Sequence, residues 1–322
     1  MLPVAPPATG LRTPWHHLPA NVRGALEELL GAAVTEAVTQ SGGFSPGVAA
    51  RLRLTDGRRV FVKAVSADTN PASPDLHRIE ARHAAALPDS VPAPRLLTSY
   101  DDGTWVALVF ENVDGHQPQV PWKATELERV LDAVGDLAVT LTPAPIDARP
   151  VAETKASAFH GWQQLTESAE AHADGLDPWV RRNLHMLAEL AAPWPEFAVG
   201  DTLAHGDLRA DNMLLTADGR VVFVDWPHAV LAARWYDLLI MLPCVRAQGG
   251  PDPEAVFSAH PVSRGADPGG VTATLAALAG YLVRNSLLPA PPGLPTLRAF
   301  QHAQGAAAVD WLRRRLGEPA LP

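Results

Sequence analysis

The sequence has a single cysteine, few basic residues and no long apolar run, and each shortage excludes a class of protein. Cys244 is the only cysteine in 322 residues, so the chain cannot form an internal disulfide, which favours a reducing compartment. A net charge of −9 argues against a nucleic-acid-binding surface, because such surfaces need clustered lysine and arginine. No segment approaches the roughly 18 consecutive apolar residues of a membrane span. We therefore expect a cytoplasmic protein that binds neither nucleic acid nor membrane.

The N-terminal stretch, MLPVAPPATGLRTPW, lacks the basic start and apolar centre of a signal peptide. Its four prolines predict a loose arm over residues 1–20. The chain as a whole is 47% hydrophobic and 19% charged, which is the composition of a folded globular protein. Its length is sufficient for two lobes with a substantial core.

The sequence after the arm has the pattern of a small β-rich lobe. Apolar residues recur every three or four positions in 20–38, which predicts an amphipathic helix. After the glycine-rich stretch 41–47, apolar and polar residues alternate on both sides of an Asp-Gly turn, which predicts a β-hairpin. The strands predicted in this lobe cover 51–54, 59–65 and 104–110. A second helix is predicted over 75–87.

The pattern becomes mainly helical beyond Gly115. The spacing of leucine, valine and alanine predicts helices over 124–141 and 178–191. A single hairpin interrupts them, with strands at 213–215 and 221–224. We therefore predict an α+β fold of two lobes, a smaller β-rich N-lobe over 21–115 and a larger, mostly helical C-lobe over 116–322.

One short motif, HGDLRADN at 205–212, contains the polar groups that phosphoryl transfer requires. Asp207 and Asn212 have the separation of the two polar residues in a kinase catalytic loop. Asp225 ends the apolar strand 221–224, and the hairpin would return it to the side of Asn212. The carboxylate of Asp225 and the amide oxygen of Asn212 suit Mg²⁺. Asp207 is then available to accept the proton of an attacking hydroxyl.

Lys63 supplies a cation for the phosphates. It lies among apolar residues of a predicted strand, where an unpaired ammonium group would be costly. Glu80, on the helix that follows, is its natural partner. The pair would hold Lys63 over the α- and β-phosphates of ATP or GTP.

These motifs together resemble the aminoglycoside phosphotransferase family, the small-molecule kinases that share the protein-kinase-like fold. The family signature His-Gly-Asp-x-x-x-x-Asn is present at 205–212, and an apolar strand ending in Asp-Trp is present at 221–226. The resemblance runs from about residue 41 to residue 242. It implies a protein-kinase-like bilobal fold, in which the N-lobe, 21–115, binds nucleotide and the C-lobe, 116–322, is catalytic and binds the substrate. It also implies that Asp237 supports the catalytic loop and that His205 braces it.

The resemblance also implies roles for residues around the nucleotide. Ser45, in the glycine-rich stretch, would help to cover the phosphates, and the backbone at Glu111 and Val113 would bind the base. Arg209, two positions after the catalytic aspartate, would either contact the transferred phosphoryl group or form a surface salt bridge. Asp211 has no role in the family pattern, so we expect it to face solvent or to cap a turn.

Differences from the kinase pattern separate the alternatives. Gly206 stands where protein kinases have arginine, and Asp225-Trp226-Pro227 stands where they have Asp-Phe-Gly. The interval between Asp225 and Asp237 has no space for an activation loop, so a protein kinase is disfavoured. The leading prediction is a small-molecule kinase that uses ATP or GTP and Mg²⁺, without an evident obligate protein partner. The alternative is a non-catalytic nucleotide-binding module of the pseudokinase type.

The acceptor is not identified by the resemblance, because such kinases act on antibiotics, amino-alcohols and sugars. A polycationic substrate calls for an acidic cleft wall. From Leu231 to the end of the sequence, however, six acidic residues face eight arginines. This balance disfavours an aminoglycoside as the acceptor. A neutral or mildly polar alcohol fits the sequence equally well.

Overall fold

A five-stranded antiparallel sheet dominates the first lobe, and helices form most of the second. The structure, a computed structural model, describes residues 2–168 and 176–318. The strands are β1 Val34–Thr39, β2 Val48–Leu54, β3 Arg59–Ser66, β4 Leu96–Asp101, β5 Trp105–Glu111, β6 Gly115–His116, β7 Thr202–Ala204, β8 Met213–Thr216, β9 Val221–Phe223 and β10 Val230–Ala232. The helices are α1 Ala20–Leu30, α2 Ser73–Ala86, α3 Ala124–Thr140, α4 Val151–Thr154, α5 Gly161–Thr166, α6 Pro178–Arg182, α7 Leu184–Ala191, α8 Trp194–Phe197, α9 Tyr236–Ala247, α10 Pro253–Ala259, α11 Pro268–Ser286 and α12 Leu297–Arg315. This arrangement confirms the predicted α+β, protein-kinase-like fold.

The sheet has the strand order β1-β2-β3-β5-β4, so β3 lies at its centre. Lys63 on β3 lies opposite Ala49 on β2 and Leu108 on β5. Helix α2 contacts β3, β4 and β5, which brings Glu80 to the sheet. The alternating side chains of β3 place Phe61 and Lys63 on the face that is partly open, while their neighbours are buried.

The helix predicted over 20–38 is only half as long in the structure. Helix α1 ends at Leu30, because Gly31 adopts the left-handed conformation (φ 68°) that closes a helix end. The following residues form β1, which pairs with β2. Val34, Thr35, Val38 and Thr39 are β-branched and favour a strand. The apolar spacing that suggested a helix was therefore produced by two elements in succession.

The helix predicted over 178–191 is divided into α6 and α7 at Asn183. The backbone of Asn183 has a φ of −116°, and its amide group donates to the Trp179 carbonyl at 2.8 Å. This local hydrogen bond competes with helix continuation, which is a known property of asparagine. The helix predicted over 124–141 forms as α3, and the predicted hairpin forms as β8 and β9.

The N-terminal arm is packed, which corrects the prediction that it is loose. Trp15 and Leu18 are buried in the core of the first lobe. The amide of Ala5 donates to the Ala247 carbonyl at 2.9 Å, and the amide of Leu11 donates to the Gly293 carbonyl at 2.8 Å. The prolines remove backbone donors and keep the arm extended. The extended arm contacts both lobes.

The C-lobe core is built on α9, α11 and α12, with α12 packed against both of the others. Trp162, Trp194 and Trp311 are fully buried there. Cys244 on α9 is also buried, and burial raises the pKa of its thiol to about 12. Among the described residues, no helix combines the length and apolarity that crossing a membrane would need.

Candidate active site

The β8–β9 hairpin brings Asn212 and Asp225 together. Met213 pairs with Phe223, and beyond this pair the amide of Val224 donates to the Asn212 carbonyl at 2.9 Å. Asp225 is the non-glycine residue with a positive φ, 72°, in the part of the chain that the structure describes. Such a backbone conformation is unfavourable for most side chains and concentrates at functional sites.

Lys63 lies between two carboxylates. Its Nζ donates to Glu80 Oε1 at 2.7 Å and to Asp225 Oδ1 at 2.6 Å. Burial alone would lower the pKa of Lys63, but the charges of Asp225 and Glu80 outweigh burial and raise the pKa to about 12. The lysine therefore stays charged and links α2 of the N-lobe to the strand end of the C-lobe.

The pKa values of Glu80 and Asp225 are shifted in opposite directions. Burial raises the pKa of Glu80 to about 7, although Lys63 opposes this effect. Burial also disfavours charge on Asp225, but the contact with Lys63 outweighs it and lowers the pKa of Asp225. The contact with Lys63 thus favours the ionised form of Asp225.

Asp237 fixes the loop that carries Asp207. The Asp237 carboxylate accepts hydrogen bonds from the backbone amides of His205 and Gly206, at 2.7 and 2.9 Å. Burial lowers the pKa of His205, so the imidazole is neutral. Its Nε2 donates to the Val224 carbonyl at 3.0 Å, and its Nδ1 accepts from the amide of Asp207 at 3.3 Å. His205 therefore connects the Asp207 loop to the strand end at Asp225.

Gly206 has a backbone that only glycine fits. Its φ is 77°, and a Cβ at this position would lie 2.2 Å from the His228 carbonyl oxygen. The close approach of these two backbone segments explains why glycine stands where protein kinases have arginine.

Asp207 is held by Arg209, which also binds Asp211. Arg209 Nη1 donates to both Asp207 oxygens at 2.6 Å, and Nε and Nη2 donate to Asp211 at 3.0 and 2.9 Å. The guanidinium group also lies 5.4 Å from the ring centre of Phe44. Only 15% of the Arg209 side chain is exposed. Its salt bridges are therefore buried and are not the surface salt bridge that was one of the two alternatives.

The expectation for Asp211 is wrong. Its side chain is only 6% exposed and forms a two-point ion pair with Arg209, whose bidentate geometry is the strong form of this interaction. The only indication of this ion pair in the sequence is the arginine two positions earlier. Both residues lie in an irregular loop, where no helical or strand spacing predicts that they are in contact. Most Arg209 donors are thus engaged with Asp207 and Asp211, which favours a role in orienting Asp207.

Asn212 and Asp225 offer oxygen atoms that fit Mg²⁺. The Asn212 amide nitrogen donates to the backbone and side-chain oxygens of Asp207, at 2.8 and 3.2 Å. Its amide oxygen, like Asp225 Oδ2, has no hydrogen-bond partner within residues 2–168 and 176–318. The same residues contain no group of three or more His, Cys, Asp or Glu that could hold a metal alone. Mg²⁺ needs only one or two protein side chains, because phosphate oxygens and water supply its other ligands.

Two cavities meet at these side chains. The first, which we term the hinge cavity, has a volume of about 420 Å³. It is lined by the glycine-rich loop with Ser45, by Lys63 and Glu80, by Asn212 and Asp225, and by the connection between the lobes with Glu111 and Val113. The side chain of Glu111 is bound to Arg95 at 3.0 Å, at the rim of this cavity.

The second cavity, which we term the helical cavity, has a volume of about 650 Å³ and lies on the C-lobe side. Asp207 and Arg209 line it, and they do not line the hinge cavity. Glu80, Asp225, Phe44 and Ser45 line both. The predicted catalytic aspartate therefore lines one cavity, Lys63 and Asn212 line the other, and Asp225 lies where the two meet.

Arg12 is a site residue that the sequence did not reveal. Its guanidinium group donates to the backbone carbonyls of Gly42 and Ser45, and it lines the hinge cavity. Burial lowers the pKa of Arg12, which Asp225 and Asp211 oppose. Its Nε is buried without a partner, and none of the described carboxylates lies within ion-pair distance. Nothing in a proline-rich arm indicates such a contact.

Comparisons with known proteins agree with this architecture. A family model described as the phosphotransferase enzyme family, APH, matches residues 41–273, well over half of the chain. A thermostable mutant of aminoglycoside phosphotransferase APH(4)-Ia, in ternary complex with ADP and hygromycin B, is similar at a TM-score of 0.60 and 16% identity, covering 90% of this chain and 98% of that chain. LicA in complex with AMP has a TM-score of 0.60 and 15% identity, covering 93% and 99% of the respective chains.

A third similar structure is aminoglycoside phosphotransferase APH(3'')-Id from Streptomyces rimosus in complex with ADP and streptomycin. Its TM-score is 0.50 at 21% identity, and the match covers 82% of this chain and 99% of that chain. No curated protein sequence matches the chain significantly. At these identities the structural likeness shows the fold, whereas the family match confirms the resemblance inferred from the motifs. The chain belongs to the phosphotransferase enzyme family APH.

Proposed function

We propose that the protein is a small-molecule kinase that transfers the γ-phosphoryl group of ATP or GTP to a hydroxyl group. The observation that carries the proposal is the meeting of two cavities at one cluster of polar side chains. The hinge cavity has phosphate-binding chemistry, with Lys63 and a glycine-rich loop, and the helical cavity contains the base candidate Asp207. The similar structures that contain ADP together with an antibiotic support this division between donor and acceptor.

The donor is held by charge in this proposal. Lys63, kept charged and fixed by Glu80, would contact the α- and β-phosphates. Asn212 and Asp225 would hold Mg²⁺, which when bound neutralises negative charge on the phosphate oxygens. The backbone at Glu111 and Val113 would bind the base.

The acceptor hydroxyl is activated by Asp207 in this proposal. Asp207 accepts its proton as the oxygen attacks the γ-phosphorus, while the bond from that phosphorus to the bridging oxygen of the diphosphate breaks. Arg209 donates to both Asp207 oxygens and so orients the carboxylate. Asn212 also donates to Oδ2, so Oδ1 is the oxygen that retains a lone pair for the substrate among the described contacts. Asp237 and His205 hold the loop that carries these groups.

A phosphate-transfer screen tests the function. The full chain would be incubated with Mg²⁺, radiolabelled ATP or GTP, and panels of antibiotics, amino-alcohols, sugars and simple alcohols. We expect labelled product with at least one acceptor and its loss in Asp207→Ala. Nucleotide binding without Asp207-dependent transfer to any acceptor would support the pseudokinase alternative instead. Phosphorylation of peptides but of no small alcohol would indicate a protein kinase.

The arm residue Arg12 gives a separate prediction. Because its buried guanidinium group has only carbonyl partners in the hinge cavity, we propose that it also contacts the nucleotide phosphates. Arg12→Ala is expected to raise the KM for nucleotide roughly tenfold or more, the size of one charge-assisted hydrogen bond, with a smaller change in kcat. Steady-state kinetics would measure both constants.

The matched control is Arg59→Ala, an exposed arginine at the start of β3. It should leave the nucleotide KM unchanged. Arg12→Lys keeps the charge but cannot bridge two carbonyls, so partial recovery of affinity is expected. An unchanged KM in Arg12→Ala would limit Arg12 to a structural role in the glycine-rich loop.

A further inference from the structure

The acidic side chains of the helical cavity are already paired. Glu80, Asp207 and Asp225 are the carboxylates that line it among the described residues. Lys63 binds the first and the third, and Arg209 binds the second. No unpaired carboxylate therefore remains there to bind an amino group of a substrate.

The remaining charge in the cavity is positive and belongs to Lys155. Lys155 follows α4, lines the cavity and is half-buried. Its ammonium group forms no hydrogen bond or ion pair within the part of the chain that the structure describes. Burial lowers the pKa of Lys155, and the nearby charge of Asp207 opposes this. Even a half-buried ammonium group without a partner loses part of its hydration, so a bound oxygen atom would be stabilising.

The other polar groups of the cavity are neutral. Burial lowers the pKa of His77 to about 4 and also lowers the pKa of His228, so neither imidazole is charged at neutral pH. The hydroxyl groups of Tyr236 and Tyr281 have no hydrogen-bond partner among the described residues, and burial raises the pKa of both. They are available to a substrate as uncharged donors.

The rest of the wall is largely apolar, although uncharged polar side chains such as Asn70, Gln301 and Gln304 also line it. The apolar part consists mainly of aliphatic and aromatic side chains from α9, α11, α12 and the segment before α12, including Ile240, Leu278, Leu282, Leu294, Leu297 and Phe300. A cavity of this kind binds a ligand through apolar surface and a few directed hydrogen bonds. A polycationic substrate would have to lose its hydration here without gaining a counter-charge.

We propose that the acceptor is a predominantly apolar alcohol carrying a carboxylate or carbonyl oxygen that accepts a hydrogen bond from Lys155. The proposal rests on the proposed kinase function and narrows its substrate class. Apolar contacts with α11 and α12 hold the body of the molecule, and the hydroxyl group faces Asp207. The oxygen that binds Lys155 fixes which hydroxyl reacts.

A matched acceptor panel tests the substrate class. It compares alicyclic and aromatic hydroxy acids, their methyl esters, the parent alcohols without a second oxygen, and polycationic aminocyclitols, all with the wild-type chain and Mg²⁺–ATP. We expect kcat/KM to be highest for the acids or the esters. The acids lead if the partner is a carboxylate, and the esters match them if it is a carbonyl. A preference for aminocyclitols or for the parent alcohols would overturn the proposal.

Substitution of Lys155 tests the contact itself. Lys155→Met is expected to raise the KM for the preferred acid or ester roughly tenfold or more, while the KM for nucleotide stays within about twofold. Lys123→Met is the matched control, because Lys123 is an exposed lysine that lines neither cavity. Lys155→Arg should restore part of the affinity, because it restores a donor with positive charge.

The outcomes separate this proposal from the kinase function. Equal losses of kcat/KM for all acceptors in Lys155→Met, including those without a second oxygen, would reduce Lys155 to a structural residue. Asp207-dependent transfer to polycations would retain the kinase function and overturn only the acceptor class. Absence of transfer to every acceptor, with nucleotide still bound, would overturn the kinase function itself.

Discussion

Asp207→Asn is expected to reduce the kcat of phosphoryl transfer by roughly a hundred- to ten-thousand-fold, the usual effect of a general base. Asparagine keeps the shape of the side chain but cannot take a proton from the acceptor. The KM for nucleotide should change little, because Asp207 lines the helical cavity and not the hinge cavity. Steady-state kinetics with the acceptor found by screening would measure both constants.

The folded structure should survive this change. Arg209 keeps two hydrogen bonds to Asp211, at 3.0 and 2.9 Å, so its buried charge retains an anionic partner. Asn212 keeps its bond to the backbone carbonyl of residue 207 at 2.8 Å. A thermal melt close to that of the wild type would therefore accompany the loss of turnover.

Asp132→Asn, on the exposed face of α3, is the matched control and should retain full activity. If Asp207→Asn kept more than a tenth of the wild-type kcat, Asp207 would not be the base. A parallel collapse of the melting temperature would instead assign Asp207 a structural role beside Arg209. The two measurements thus distinguish chemistry from stability.

Local patterns in the sequence were sufficient for much of the fold and for the central placements of the site. Alternation around the Asp-Gly turns predicted the β2–β3 and β8–β9 hairpins, because each pairing is decided within a short segment. The β8–β9 hairpin in turn places Asp225 beside Asn212. The seventeen-residue offset from Lys63 to Glu80 spans one strand, a connection and a helix, and the structure closes it with a 2.7 Å contact.

The residues that escaped prediction depend on tertiary contacts without a local pattern. Arg12 reaches the glycine-rich loop across some thirty residues. Lys155 acquires significance only because the fold places the residue after α4 on the same cavity as Asp207, more than fifty positions away in the sequence. The helix predicted over 20–38 failed for a different reason, since spacing alone cannot show that Gly31 ends one element and that β-branched residues start another.

Gly206→Ala is expected to destabilise the protein by about 2–4 kcal/mol and to abolish most activity. The added Cβ would meet the His228 carbonyl oxygen at 2.2 Å, and a φ of 77° is unfavourable for alanine. Relief of the contact requires a shift of either the Asp207 loop or the segment after Asp225. A shift of the loop would disturb the hydrogen bonds that Asp237 makes to the amides of His205 and Gly206, and a shift of the segment would move the chain that follows Asp225. Thermal melts and transfer assays would measure the two effects.

Gly219→Ala separates the contact from the backbone strain. Gly219, in the β8–β9 turn, has a φ of 95°, and a Cβ there would meet no atom within 4 Å. Gly219→Ala should therefore cost only about 1–2 kcal/mol of stability and leave catalysis intact.

Equal losses of stability in Gly206→Ala and Gly219→Ala would show that the His228 segment moves to accommodate a side chain. A larger loss in Gly206→Ala, together with lost turnover, would show that the catalytic loop requires glycine because another backbone occupies the space of a Cβ. An arginine, as protein kinases have here, would then require a different path for the chain after Asp225.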